Sequence, residues 1–538
     1  NPGISGSGPY SVSCSDVIGG ATKYVATASS SLEENPFLTV QGIEPADTTS
    51  NLRDTANGAD HIIITPRAFW DQSETLRAYR AAQEISPGQL MRAVKVDLQD
   101  VYDEFNYGIA SAYAIRDFLE YTYNSWSKPS PSYVVLMGDG HYDAKNYENR
   151  NKVNYIPPYL APVDPWLVET AADNRFVTFK DALGYRDVMP DMMMGRMSVS
   201  STAEATAFVN KTIAYEANAV EDWQNQLLFV ADNADSGGNF PTISDSLISC
   251  CMSPTYGAAK VYYRVTHTTA ADAKAAVLAG INSGKLMVNY IGHASKADWG
   301  EERYFGTADV AGLTNGYKQP IILAMACYDG YYQMPYTSQY FATAEVVTRA
   351  DGKGAVASWS PTGLGVASGH DYLNRGFFNA YFITKVPTVG QATLAGKLNL
   401  WSTSSNLDLL DTYILFGDPA LQFPGEPTAV DLSDFSAASA KKAVTLTWQT
   451  ENEVDNLGFN VYRASDVNGA RTKLNAVMIP TGTYPGSQVG SSYTFTDTGA
   501  GLKGGLKPNQ TYYYWLEDVN IMGGTELHGP VTVEISPK

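Results

Sequence analysis

Two short hydrophobic runs, each followed by a reactive side chain, constrain this chain more than any other part of its sequence. The first run, residues 286–291, leads into Gly292 and His293, and the second, residues 321–326, leads into Cys327. Short apolar runs bounded by Gly and Pro predict buried strands of a parallel sheet. Because side chains emerge together at the carboxyl ends of such strands, we expect the His293 imidazole and the Cys327 thiol to lie side by side.

A neighbouring imidazole and thiol predict acyl-transfer chemistry. A thiol with a pKa of ~8.5 is mostly protonated at neutral pH, so it attacks a carbonyl only when a neighbour takes its proton or stabilises the thiolate. The alternative is structural, with a core cysteine at a strand end and a surface histidine in a turn. Because both residues end similar strand-like runs, the catalytic interpretation is at least as well supported as the structural one.

The sequence around these residues resembles the gingipain family of cysteine peptidases, in the caspase and legumain clan. The similarity is carried by VNYIGHASKADWG, YFGTADVAGLTN and AMACYDGYY, and it extends through MPDMMMGRMSVSS and LLFVADNADSGGNF to cover residues 60–425. The resemblance implies that Cys327 is the nucleophile and His293 the general base and acid. It also implies that the backbone N–H groups of Cys327 and Ala294 hold the oxyanion. The family usually has glycine at Ala294, and alanine adopts a positive φ only at a cost, so a low-activity or inactive scaffold stays open.

The family also places a carboxylate behind the histidine, where it fixes the tautomer and stabilises the imidazolium. Asp232 and Asp235, in LLFVADNAD, are both candidates for this role, and Asp235 is the preferred one. The alternative is that these residues cap the loop and the following helix, or bind a cation.

The resemblance also implies which residues contact the substrate. The segment GAVASWSPTGLG corresponds to a wall of the cleft in the family, which makes Trp359, Ser360 and Thr362 candidate wall residues. Thr242 corresponds to a position in the primary pocket where an arginine-specific member carries Asp. A basic primary residue therefore stays open as the specificity.

The pattern along the chain predicts two α/β subdomains and a β-sandwich. Strands and amphipathic helices alternate from residue 60 to about 425, which indicates caspase-like parallel sheets. After residue 443, short alternating strands predict an antiparallel β-sandwich resembling a fibronectin type III or immunoglobulin-like module. The predicted division is an N-terminal extension (1–58), a noncatalytic α/β subdomain (59–222), a catalytic α/β subdomain (223–426) and the β-sandwich (427–538).

Charge and cysteine usage exclude several function classes. The net charge is −19, from 37 basic and 56 acidic residues, which argues against binding to nucleic acids or to anionic membranes and permits structural calcium. No apolar run reaches the ~20 residues of a membrane-spanning helix. Cys14, Cys250, Cys251 and Cys327 lack zinc-site spacing. We expect Cys250 and Cys251 to be packing residues, with a bridge from Cys14 left open. A chain that starts at Asn1 is expected to be a processed form.

The sequence therefore predicts a secreted or cell-surface bacterial cysteine endopeptidase that cleaves protein or peptide substrates through a Cys–His dyad. No cofactor is expected for the chemistry. Two alternatives are a sortase-like transpeptidase of the same fold and a noncatalytic surface or adhesion protein built on an inactive scaffold. The sequence carries no signal for an oligomeric state.

Overall fold

The computed structural model describes residues 50–86, 89–179, 188–217, 221–254, 256–336, 341–424, 432–440, 442–450, 456–467, 469–481, 490–520 and 525–536. Residues 1–49 of the predicted N-terminal extension, which include Cys14, lie outside the described residues. The same holds for residues 425–431 at the predicted junction with the β-sandwich. The predicted division into four domains stays a prediction.

The main sheet has ten strands, and its order is β6-β5-β7-β8-β9-β10-β4-β3-β1-β2. Its strands are β1 His61–Thr65, β2 Ala93–Asp97, β3 Tyr133–Met137, β4 Met193–Met197, β5 Gln226–Ala231, β6 Gly257–Tyr262, β7 Met287–Ile291, β8 Ile321–Met325, β9 Ala357–Pro361 and β10 Tyr413–Phe416.

All neighbouring strands of this sheet are parallel except β9 and β10, which are antiparallel. The predicted parallel α/β architecture is confirmed. The two predicted halves nevertheless form one continuous sheet, because β10 pairs with β9 on one side and with β4 on the other. Strands β1–β4 make up the first half and β5–β9 the second.

Helices connect the strands and cover both faces of the sheet. They are α1 Trp70–Ala81, α2 Leu98–Asn106, α3 Ala112–Ser125, α4 Thr202–Ala217, α5 Phe240–Cys251, α6 Ala270–Asn282, α7 Thr307–Val310, α8 Thr343–Arg349, α9 Ala367–Phe382, α10 Val389–Trp401 and α11 Asp408–Thr412. Alternate residues of β5 pack into separate hydrophobic clusters, with Leu227 and Phe229 in one and Leu228 and Val230 in the other. A strand buried on both faces has the continuous apolar sequence that made it recognisable.

Helix α2 follows β2 directly within the segment AVKVDLQDVYDEF. In the structure Asp97 ends β2, and its side chain accepts a hydrogen bond from the Gln99 N–H at 3.0 Å. This contact satisfies one of the free N–H groups at the start of a helix. The chain therefore passes from strand to helix without a separating turn.

The C-terminal region is antiparallel, as predicted. Its main strands are β11 Leu432–Ala440, β12 Ala443–Thr450, β13 Asn456–Ala464, β14 Ser492–Asp497, β15 Thr511–Asn520 and β16 Thr525–Glu534. One sheet has the order β11-β12-β14, and the other contains β13-β15-β16 with two short strands beside β13. Trp448 from the first sheet and Phe459 and Tyr514 from the second share one buried cluster. The resemblance to fibronectin type III or immunoglobulin-like modules stays a prediction.

Cys250 and Cys251 form a disulfide with each other at the end of α5. The expectation that both are unbonded packing residues is therefore wrong, although Cys251 is buried in the core. Neighbouring cysteines give no spacing signal that separates a bond between them from simple packing. Over the described residues, none of the helices combines the length and the apolar character needed to cross a lipid bilayer.

Candidate active site

His293 and Cys327 follow neighbouring strands at matching positions. β7 and β8 are parallel, and their last paired residues are Ile291 and Met325. His293 and Cys327 each follow two residues after this pair. The Gly292 N–H still donates to the Met325 carbonyl at 3.3 Å, so the two chains stay together for one residue beyond the strands. Neighbouring strands lie about 4.8 Å apart, so the backbone brings the two residues to one place at the sheet edge.

Glycine is required at position 292 because the chain there passes close to Asp232. A Cβ at Gly292 would lie 2.4 Å from the Asp232 Cβ and 2.8 Å from the Tyr290 hydroxyl. Its φ of 158° is also one that L side chains rarely adopt. The Gly-His pair in the sequence therefore has a structural cause, which is to let the backbone of His293 approach the end of β5.

The His293 ring is held by a carboxylate and an aromatic edge. Its Nε2 is hydrogen-bonded to Asp235 Oδ2 at 3.0 Å, and the Phe240 ring meets it edge-on with centroids 5.4 Å apart. Asp235 is fixed in turn by the Gly237 N–H, which donates to Oδ1 at 2.7 Å, and by backbone bonds with Gly238. With Nε2 engaged, Nδ1 is the nitrogen that is left for another partner.

Asp232 occupies a different position from Asp235. It is buried, and it accepts hydrogen bonds from the backbone N–H of His293 at 3.2 Å, from the Asn233 N–H at 2.8 Å and from the Tyr304 hydroxyl at 2.9 Å. Burial raises the pKa of Asp232. Both predicted acids therefore contact His293, but Asp235 contacts its ring and Asp232 its backbone.

The Cys327 thiol is half-buried, and it donates to the Gly365 carbonyl at 3.6 Å. Burial raises the pKa of the Cys327 thiol, so the sulfur is protonated at neutral pH until a base removes the proton. In the described part of the chain, no hydrogen bond joins the sulfur to the His293 ring. The two groups are neighbours through the strand register, and the reactive pairing itself stays a prediction.

The two backbone N–H groups predicted to hold an oxyanion have no other use within the described part of the chain. Ala294 forms an isolated antiparallel bridge with Trp299. The hydrogen bonds of this bridge are made by the neighbouring residues. The Gly300 N–H donates to the His293 carbonyl, and the Ser295 N–H donates to the Asp298 carbonyl. This pattern leaves the Ala294 N–H pointing away from the bridge. Among the described residues, neither this N–H nor that of Cys327 has a protein acceptor. Ala294 does not adopt a positive φ, so alanine brings no strain here.

Sequence reasoning missed a buried network that joins the histidine segment to the cysteine segment. The Tyr290 hydroxyl donates to the His293 carbonyl, and the Tyr290 ring stacks on Trp299 with centroids 4.6 Å apart. The Trp299 indole N–H donates to Asp329 at 2.6 Å. Burial raises the pKa of Asp329 to about 6, and its second oxygen accepts from Ser360 at 2.7 Å. The signal in the sequence was Asp329 itself, an acidic residue two positions after the cysteine.

An open cavity of about 510 Å³ lies on the histidine side of the site. His293 and Ala294 line it together with the carboxylates of Asp235 and Glu302 and the guanidinium of Arg264. Cys327 is not among the lining residues. The cavity therefore adjoins His293 and Ala294, and it is large enough for a peptide side chain.

The structure corrects the predicted cleft wall. Trp359, Ser360 and Thr362 are fully buried, so they cannot line an open cleft. Trp359 packs between Phe377 and Tyr413 in the core. Trp359 and Ser360 lie on β9, a central strand covered on both faces, so their side chains have no route to solvent. Thr362 follows this strand, and its hydroxyl donates to the Ala171 carbonyl. Their contacts are internal, as with the Ser360 bond to Asp329.

Thr242 differs from these three residues because it is exposed. It lies in the first turn of α5, where the Asn239 side chain caps the helix by accepting from its N–H at 3.3 Å. Phe240, in the same turn, touches the His293 ring. The nearest acid on this helix, Asp245, is bonded to Lys260 at 2.7 Å, so it is already engaged by a cation.

A parallel-dominated α/β sheet with an imidazole and a thiol beyond neighbouring strands defines the caspase-like fold class. The chain belongs to peptidase family C25, whose model matches residues 54–424. The gingipain-like resemblance of the sequence is confirmed.

Curated relatives and solved structures agree with this family. Gingipain R2 of Porphyromonas gingivalis is 28% identical over 334 residues, which is 58% of this chain and 40% of that protein. Lys-gingipain of the same organism is 27% identical over 282 residues, or 51% of this chain and 14% of that protein. The matches thus span less than half of each relative. The crystal structure of the Arg-specific cysteine proteinase gingipain R is similar with a TM-score of 0.54 and 19% identity, covering 90% of this chain and 100% of that one.

Proposed function

We propose that this protein is a cysteine endopeptidase in which Cys327 is the nucleophile and His293 the general base and acid. The observation that carries the proposal is the strand register, which puts both residues two positions beyond the last pair of β7 and β8. Membership of peptidase family C25 supports the same reaction class. Neither residue belongs to the hydrophobic core clusters of the described residues, so their placement at a shared strand edge favours a chemical role.

The proposed reaction begins with proton transfer. His293 takes the thiol proton through Nδ1, since Nε2 is engaged by Asp235. The resulting imidazolium is stabilised by the Asp235 carboxylate, which also fixes the ring orientation. The thiolate then attacks the carbonyl carbon of the scissile peptide bond, and the charge that develops on the carbonyl oxygen is accepted by the N–H groups of Ala294 and Cys327.

In the second half of the reaction, His293 gives the proton to the departing amine, and the C–N bond breaks to leave a thioester on Cys327. Water, deprotonated by His293, then attacks the thioester and releases the acid product with a restored thiol. All groups in this scheme are side chains and backbone N–H groups of the chain, so the chemistry needs no cofactor.

The proposed substrates are polypeptides, and the proposed location is outside the bacterial cell. The named relatives include an Arg-specific proteinase, but Thr242 offers no charge for a basic side chain and Asp245 is engaged by Lys260. We therefore do not extend arginine specificity to this chain. A disulfide between Cys250 and Cys251 accords with an oxidising, extracellular compartment. We also expect the acidic composition to permit structural calcium.

Cleavage profiling on a peptide library tests the proposal. We expect the wild type to cut the library, and Cys327→Ala and His293→Ala to lose this activity while keeping the wild-type melting temperature. His267→Ala is a matched control, because His267 is a partly exposed histidine that is bonded to Thr266 and lies outside the site. Full activity in Cys327→Ala would refute the proposed nucleophile. The residue before each cut would define the primary pocket.

A further inference from the structure

Three side chains that commonly bind metal ions meet in the C-terminal β-sheet, far in sequence from the peptidase residues. Asp518 lies on β15, and Glu526 and His528 lie on β16. One ligand atom from each of them lies within 4.8 Å of the other two. In the described part of the chain this is the only such group of three His, Cys, Asp or Glu side chains.

The strand register explains why these side chains share one face. β15 and β16 are antiparallel, with Asp518 opposite Glu526 and Leu516 opposite His528. Residues separated by two along a strand point to the same side, so all three candidate ligands face the side on which Leu516 packs into the core. β16 is the edge strand of this sheet, and Glu526 and His528 are partly exposed, which gives an ion a path from solvent.

The buried carboxylate of Asp518 lacks a partner for one of its oxygens. Asp518 is fully buried, and its Oδ1 is hydrogen-bonded to His528 Nε2 at 2.8 Å. Its Oδ2 has no hydrogen-bond partner among the residues that the structure describes. A buried carboxylate oxygen without a donor is costly, because it has lost its water and gained nothing in exchange. No lysine or arginine among the described residues is paired with Asp518, whose carboxylate pairs with His528.

The pairing of Asp518 with Glu526 adds a second reason to expect a cation. Two carboxylates directly opposite each other on antiparallel strands repel one another. A positive ion between them removes this repulsion and fills the free coordination position of Asp518 Oδ2. The His528 ring then contributes a nitrogen ligand on the same side.

We propose that Asp518, Glu526 and His528 form a binding site for a divalent transition-metal ion of the Zn²⁺ type, which links β15 to β16. An imidazole with two carboxylates suits such ions, whereas calcium takes six to eight oxygen ligands. Three protein ligands leave a further position for water. The site is independent of the proposed peptidase chemistry, and its predicted effect is to stabilise the C-terminal sheets, since an ion that binds only the folded state stabilises that state.

The test is a titration of the full chain with Zn²⁺ and, separately, with Co²⁺. Both are done in a Cys327→Ala background, because a thiolate beside an imidazole also binds zinc. We expect one equivalent of Zn²⁺ to bind, a rise in melting temperature on binding, and Co²⁺ absorption bands typical of a site with nitrogen and oxygen ligands. Calcium is expected to bind far more weakly at the same site.

Substitutions then locate the site. His528→Ala is expected to weaken Zn²⁺ binding about 100-fold or more, since even residues that only support metal ligands affect affinity by about 10- to 100-fold. Glu526→Gln, at the partly exposed edge, is expected to weaken it about 10-fold while preserving the fold. His267→Ala is the control that keeps wild-type affinity.

Three results would overturn the proposal. The first is the absence of stoichiometric Zn²⁺ binding and of Co²⁺ bands in the parent protein. The second is equal Zn²⁺ affinity in the parent and in Glu526→Gln and His528→Ala. The third is binding of Ca²⁺ as tight as that of Zn²⁺, which would mean that the histidine takes no part. Because the Co²⁺ spectrum is recorded on the parent protein, a variant that fails to fold does not affect the decision.

Discussion

The two halves of the ten-stranded sheet are built alike, but they treat the side chains at their strand ends in opposite ways. In the first half, Asp139 follows β3, is fully buried, and is bonded to Lys152 at 2.9 Å and to Ser200 at 3.0 Å. In the second half, the His293 side chain is 53% exposed, and the one described partner of the Cys327 thiol is a backbone carbonyl. The shared sheet architecture therefore does not define a function. The function depends on which side chains at the strand ends have no structural role.

The electrostatics of the two regions differ accordingly. Burial alone would raise the pKa of Asp139, but Lys152 and Arg349 outweigh it and lower that pKa. Burial and the nearby Asp139 raise the pKa of Glu345 to about 7, and Ser198 lies within hydrogen-bonding distance of both carboxylates. These charges are satisfied internally, so they contribute to folding. In the second half, the His293 side chain is exposed and the Cys327 thiol is half-buried.

The largest expected effect is on the rate of peptide cleavage, and it separates a catalytic role of Cys327 from a structural one. We expect Cys327→Ala to lower the cleavage rate by about 10⁵-fold or more, since removal of a nucleophile in a comparable unit costs on the order of 10⁶. Its free energy of unfolding should stay within about 0.5 kcal/mol of the wild type, because one half-buried sulfur is lost. Peptide cleavage rates and urea unfolding measure the two quantities. A stability loss as large as that of a core substitution would mean that Cys327 is structural.

In the first half of the sheet, we expect substitution of Asp139 to reduce stability and to leave catalysis unchanged. Asp139→Ala leaves the Lys152 ammonium buried without its partner, which typically costs about 3–5 kcal/mol of stability. The kcat of the molecules that remain folded should be unchanged. Urea unfolding and active-site titration measure these values, with Asp117→Ala as a control because its ion pair with Arg116 is on the surface and is worth about 0.5 kcal/mol. Lower kcat per folded Asp139→Ala molecule would show that the two halves are coupled.

A third prediction concerns His370 on α9, which is buried beside the Tyr413 ring and whose Nε2 has no partner in the described structure. Burial lowers its pKa to about 3. Because the unfolded chain takes up this proton at about pH 6.5 and the folded chain does not, stability is complete above that pH and falls as the pH falls. The loss attributable to His370 between pH 7.5 and pH 5 is about 2 kcal/mol.

Urea unfolding at several pH values checks this pH dependence. His370→Leu should flatten the slope between pH 7 and pH 5, whereas His267→Ala, at a partly exposed histidine, should retain it. An unchanged slope in His370→Leu would show that other groups cause the acid sensitivity.

The smallest expected effect compares the two acids beside His293, with Asp235 at its ring and Asp232 at its backbone. Asp235→Asn should lower kcat/KM about 10-fold, because the acid contacts the His293 ring but lies in a solvent-exposed pair. The neutral amide cannot stabilise the imidazolium. Asp232→Asn should affect stability more than activity, since Asp232 is buried and holds the backbone of His293. The reverse ranking of the two variants in cleavage assays would assign the orienting role to Asp232.

Sequence periodicity was sufficient to locate β7 and β8, because strands buried on both faces form continuous apolar runs. The positions of His293 and Cys327 at their ends followed directly. The family resemblance left both Asp232 and Asp235 open, with Asp235 preferred. Both lie in the loop after β5, and only the tertiary path shows that Asp235 reaches the ring and Asp232 the backbone of His293. The burial of Trp359 was also missed, because a run flanked by polar residues does not reveal that both faces of β9 are covered.

Sequence patterns also could not show that the two halves join in one continuous sheet. Residues 413–416 have the composition of a buried strand, but a pattern of four residues carries no information on direction. That β10 runs antiparallel to β9 and parallel to β4 depends on contacts between segments far apart in the chain. For the same reason, the network from Trp299 to Asp329 appears only in three dimensions.

The central claim is that His293 controls the reactivity of Cys327, and the rate of iodoacetamide alkylation at Cys327 as a function of pH tests it most directly. Mass spectrometry of the labelled peptide separates this site from the other cysteines. We expect the wild-type rate to rise at a lower pH than in His293→Ala, with His267→Ala identical to the wild type. Superimposable pH profiles for the wild type and His293→Ala would contradict the account.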